Sequence, residues 1–107
     1  MDPIITTLKI QKGEIVTIVC TTYPFPTNIL NWTIAIKLKN NYGDITAILT
    51  KSAVITDSTN GQFTFTFNHA ETNITPRAYV YDIWRLDGGS EVCLGKGDFV
   101  IEPEVTY

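Results

Sequence analysis

One stretch, Asn31-Trp32-Thr33-Ile34-Ala35-Ile36-Lys37-Leu38-Lys39, limits the fold more than any other. Trp32, Ile34, Ile36 and Leu38 fall on one side of an extended chain, and Thr33, Ala35, Lys37 and Lys39 on the other. This period of two marks a half-buried strand, with one face in a core and one toward water or a partner. A helix would scatter the same four apolar side chains around its axis.

The remaining chain has to supply that core. Its 107 residues, 44% of them hydrophobic, suit one domain spanning 1–107. Only 18% are charged while 11% are aromatic, which leaves two options open. Either apolar surface is left over, as on a subunit, or this is a small sandwich with an ordinary surface. A formal net charge of −3 and the lack of any Lys/Arg cluster argue against a nucleic-acid partner. No apolar run approaches the ~20 residues of a membrane-spanning helix, so no membrane partner is expected. Met1-Asp2-Pro3 lacks the basic-then-apolar start of a secretion signal, and a chain beginning there matures in the cytosol of the cell that makes it. A disulfide between Cys20 and Cys93 is open geometrically, but in a cytosolic product two reduced thiols are the expectation.

Taken in order, residues 1–5 read as an arm, 6–10 as a short strand, and 14–22 as a strand with apolar residues on both faces, hence central. Tyr23-Pro24-Phe25-Pro26 breaks it, because prolines remove ladder donors. After the strand over 30–39, Asn40 to Asp44 suits a turn, and 45–50 and 53–56 read as short strands. Asn60-Gly61 is a hairpin signal leading into 62–68, where Phe63, Phe65 and Phe67 share a core face. Asn68 followed by Glu71 has capping-box spacing for one helical turn over 69–73. Strands over 77–86 and 91–102 follow, the last with a bulge or close approach expected at Gly95-Lys96-Gly97, and 103–107 is a second arm.

Short strands with turn signals at such intervals predict an all-β, Ig-like antiparallel β-sandwich of seven to eight strands with one short helical turn. Trp32 on the third long strand fits, as does Tyr79 early in the sixth, where a tyrosine corner can form. Cys93 lies on the last strand, so the antibody-domain cysteine pair is absent.

Little in the chain converges for catalysis, and no catalytic residue, metal ligand or cofactor is expected. His69 is the sole histidine and reads as a surface residue at a helix start; one His and two distant Cys make no zinc set. Gly95-Lys96-Gly97-Asp98 lacks the spacing of a phosphate loop. Asn31-Trp32-Thr33 and Asn73-Ile74-Thr75 match the glycosylation triplet, a short and common pattern. Asp82, among apolar neighbours, is expected to be structural, either at a strand edge in solvent or paired with a backbone donor or Arg85.

Several pieces, in order and spacing, carry a resemblance: Lys12-Gly13-Glu14, Pro26-Thr27, Leu30-Asn31-Trp32 with its Ile36-Lys37-Leu38-Lys39 strand, and Asn60-Gly61-Gln62-Phe63. Thr72 to Pro76, Tyr79 to Ile83, Leu94 to Val100 and Glu104-Val105-Thr106 continue it. The chain resembles small bacteriophage structural proteins similar to the N-terminal domain of the lactococcal phage baseplate upper protein. That resemblance implies a β-sandwich docking module attached to other virion proteins, with none of the matched positions catalytic. Arg77 stands where the family's pattern has Gly, and the lack of a receptor-binding domain after Tyr107 puts host recognition in doubt.

The expected function is therefore a non-enzymatic, multi-copy or homo-oligomeric virion protein of the tail, neck or baseplate. Its partners are other phage virion proteins, met through strand edges, exposed aromatics and the arms. Tyr23, Phe25, Trp84 and Tyr107 are the candidate interface residues. Capsid decoration is one alternative. A carbohydrate-binding module stacking Trp84, Tyr79 and Tyr81 on sugars is another, and a small hydrolase lacks a nucleophile and base pair.

Overall fold

The computed structural model describes residues 4–5, 7–22, 28–87 and 91–103. Its elements in order are β1 (Ile4–Ile5), β2 (Leu8–Gln11), β3 (Val16–Thr21), β4 (Ile34–Lys39), β5 (Leu49–Ser52), β6 (Val54–Asp57), β7 (Gln62–Phe67), α1 (His69–Thr72), β8 (Arg77–Arg85) and β9 (Val92–Glu102). The larger sheet runs β1-β9-β8-β4-β5, with β2 also on β9, and the smaller runs β3-β7-β6. In immunoglobulin lettering β3, β7 and β6 take the places of B, E and D, and β4, β5, β8 and β9 those of C, C′, F and G. The fold is an Ig-like β-sandwich.

The core is what alternation dictates. Ile34, Ile36 and Leu38 of β4 face Phe63, Phe65 and Phe67 of β7 across the sandwich, joined by Tyr79, Tyr81, Phe99 and Ile101. Phe63 and Phe65 meet edge to face at 5.7 Å, as do Phe67 and Phe99 at 5.6 Å. The tyrosine corner is present: the Tyr79 hydroxyl donates to the Thr75 carbonyl at 2.6 Å. Arg77 lies over the Tyr79 ring and donates to the Asn40 side chain at 2.9 Å, tying the start of β8 to the end of β4.

One helical turn crosses the end of the sandwich. Asn68 accepts from the Glu71 amide and Glu71 accepts from the Asn68 amide, both at 2.9 Å, a complete capping box. This turn is stapled to the crossing between β2 and β3: the His69 Nδ1–H donates to the Gly13 carbonyl at 2.7 Å and the buried Thr72 hydroxyl to the Glu14 carbonyl at 2.7 Å. Gly13 has φ +82° and the His69 ring stands 3.0 Å from where a β-carbon would lie, so both backbone and space ask for glycine.

Several expectations shift. β1 and β2 pair parallel, not antiparallel, with β9; the chain passes from β2 to the opposite sheet, so no hairpin sets its direction. Part of the expected 1–5 arm is thus the short strand β1, while 104–107 of the other arm lies outside the described residues. The expected 45–50 strand starts only at Leu49, after a wide turn in which Gly43 has positive φ and Ile45 is fully exposed. The expected 30–39 strand starts only at Ile34, because Asn31 at φ 66° turns the chain first; Ile29 before that turn is buried and Leu30 exposed.

The largest shift concerns β3. Its apolar residues on both faces predict a central strand, yet it stands at the edge of the smaller sheet and pairs with β7 alone among the described residues.

Candidate functional site

Of the four candidate interface residues, Trp84 alone is described; Tyr23, Phe25 and Tyr107 lie outside the described residues. Trp84 is half-buried on the outer face of the larger sheet, between Ala35 of β4 and Cys93 of β9. A bulge at Leu94 keeps it there: Ile83 pairs with Gly95 but Trp84 with Cys93, so Leu94 turns into the core and Cys93 turns out. Tyr79 and Tyr81 are core residues at 4% and 2% exposure, which removes them from any sugar-stacking surface.

Asp82 lies across from Lys37 and Lys96 on its neighbouring strands, and its Oδ1 is buried with no hydrogen-bond partner. It does not pair with Arg85, whose guanidinium instead binds Asp87 at 3.0 Å and stacks 4.0 Å over the Trp32 ring. The Asp87 carboxyl is held below its usual range, first by the Thr33 amide and then by Arg85. Tyr42 reaches over the same face and donates to the Gly97 carbonyl at 2.8 Å. Its phenol is pushed up by burial and then by the nearby Asp98 and Asp82 charges.

Sequence reasoning missed the other side of the molecule. Val16, Ile18 and Cys20 point toward the core from β3, but all three remain half-exposed. Beneath them an opening of about 210 Å³ runs inward between β3 and β9, lined by Leu8, Ile18, Cys20, Phe63, Tyr81 and Leu94 among others. No acidic or basic side chain lines it. A cavity of about 150 Å³ with such walls admits a benzene ring, so this slot has room for large apolar side chains. Desolvation there pushes the Cys20 thiol up to about 11 and the Tyr81 phenol to about 12. Both cysteines are free thiols.

On the outer side of the smaller sheet, Val54, Thr64 and Val19 form one row across β6, β7 and β3. Val19 and Val54 are 61% and 64% exposed, and Ile15, just before β3, is 71% exposed. Thr17 meets Thr66 hydroxyl to hydroxyl at 3.1 Å in the next row. The signal for this surface stood in Val16-Thr17-Ile18-Val19-Cys20-Thr21, a run without charge, Pro or Gly. Such a run suits a buried central strand or an unguarded edge, and only the pairing decides which.

Among the described residues no group of three or more His, Cys, Asp or Glu is placed to hold a metal ion, and no helix is long and apolar enough to cross a membrane. No family model matches the chain, and no curated protein matches it.

Proposed function

We propose that this protein is a non-enzymatic structural subunit of a bacteriophage virion, a multi-copy docking or connector module of the tail, neck or baseplate region. One observation carries the docking part of this reading. Among the described residues, an uncharged strand edge, with an apolar slot below it and the Val19, Thr64 and Val54 row beside it, has no strand on its outer side. Surface of that kind is costly to leave in water and useful to cover with protein. The phage part rests on the resemblance in residue order and spacing described above.

Immunogold labelling with an antibody against the chain tests the reading on particles from a lysate that produces it. Label at the tail, neck or baseplate is the expected result. Label over the head replaces that position with capsid decoration. A chain abundant in the lysate and missing from purified particles overturns the virion assignment.

A further inference from the structure

A sandwich with two sheets presents four lateral margins, and natural β proteins blunt such margins with charges, bulges or shortness. Three are blunted here. β5 is four residues long and carries Lys51; β6 is also four residues, shifts register between Ile55 and Asp57, and ends in that carboxylate. The β1/β2 margin is broken into two pieces and carries the exposed Lys9. β3 alone has no such guard: its register with β7 is unbroken from Val16 to Thr21, and it contains no charge, Pro or Gly.

The geometry points to a second copy of this chain as the occupant of that edge, with β3 pairing antiparallel to β3 of its mate about a twofold axis through Val19. This rests on the docking reading above and names the partner. Two features favour a second copy. The strand itself carries no charge, and the Asp57 carboxylate of the same sheet lies two strands away on β6, so identical edges meet without repulsion although the chain as a whole is at −3. The strand is also self-complementary. A twofold axis normal to the sheet keeps outward side chains outward, so it must pass through a residue and not between two. Placed on Val19, it sets the two exposed valines against each other and each Thr17 opposite the mate's Thr21. β-Branched and Thr–Thr neighbours of this kind stabilise antiparallel pairs. On the inner side each half-exposed Ile18 then faces the mate's Cys20, and the two copies cover each other's slot mouths. The product is a continuous six-stranded sheet, β6-β7-β3 joined to its own image.

Sedimentation of the full chain from dilute to near-millimolar concentration tests this, with circular dichroism to confirm folding of each variant. The wild type is expected to dimerise. Val19→Lys sets like charges directly opposite and weakens the dimer by ~10-fold or more. Val54→Lys, on the same face but two strands from the edge, leaves it intact. In a Cys20→Ala, Cys93→Ala background, Val19→Cys forms an intermolecular disulfide on oxidation. Thr17→Cys does not, because its symmetry mate lies roughly 14 Å away along the strand pair. A wild type that stays monomeric overturns the inference, as does crosslinking at Thr17→Cys without crosslinking at Val19→Cys, or dissociation by Val54→Lys with Val19→Lys unaffected. A monomeric chain that still labels virions sinks the pairing alone, whereas a dimeric chain absent from virions sinks the docking reading and leaves the pairing standing.

Discussion

The two long sides of this sandwich are closed in different ways. On one side β5 passes to β6 through the single residue Ala53, so the chain itself joins the sheets, and Lys51 of β5 binds Glu71 of α1 at 2.8 Å. On the other side, among the described residues, the sheets are joined at one end, by the 12–15 crossing that α1 staples. Away from it the gap between β3 and the larger sheet widens into the slot, with Leu8 of β2 and Leu94 of β9 in its wall. Ile10, near the crossing, is 3% exposed, while Ile18 and Cys20 further along stay half-buried. The contrast teaches that connection length, more than hydrophobicity, decides where a small sandwich closes.

The largest expected effect sets the sealed interior against the open margin. Phe65→Ala removes a fully buried ring and lowers unfolding free energy by ~3–5 kcal/mol, whereas Ile18→Ala at the slot costs only ~1–2 kcal/mol. Denaturant titration of the monomer measures both, and equal losses would erase the distinction. Next comes the staple. Thr72→Val keeps the shape but leaves the Glu14 carbonyl without its hydroxyl donor, at ~1–2 kcal/mol by the same measurement.

How far the sequence led is visible in these residues. Alternation placed β4 and β7 with their core faces and marked β8 as a strand without saying which of its sides is buried, because period two is a local property that a sheet enforces. The capping box and the tyrosine corner were legible for the same reason: donor and acceptor lie within a few positions of each other. The edge position of β3 was not legible, since neighbours in a sheet are chosen by topology, and a strand apolar on both sides looks alike at an edge and at a centre. Trp32 illustrates the same limit. It falls on the core side as its spacing requires, but the strand starts only at Ile34, and the ring instead meets Arg85 from a strand about fifty positions later. The slot depends on residues of five strands, β2, β3, β7, β8 and β9, at once, so no short stretch announces it.

Two smaller measurements sharpen the comparison further. Glu71 on the closed side is held below the usual carboxylate range, first by Lys51 and then by the Asn68 amide. A depressed folded-state value means stability that is present above the ordinary Glu value and is lost as pH falls through the lowered one. Glu71→Gln is therefore expected to lower the melting temperature near neutrality, where that contribution is fully present, and to converge with the wild type at low pH, so that the acid limb of the profile flattens. An unchanged acid limb would remove the ion pair from the account of closure. On the open side, alkylation of Cys20 should keep accelerating toward pH 11, beyond the point where an exposed thiol levels off. Levelling off near pH 9 would mean that water fills the slot.

Ala53 gives the molecule the mechanics of a bound book, with its spine along β5 and β6 and its fore-edge along β3 and the β1/β2 pair. Pages cannot slide past one another at a spine one residue wide, so thermal breathing has a single direction in which to open. Amide exchange on β3 should accordingly run ahead of exchange on β6, and whatever grips the fore-edge holds the whole volume shut.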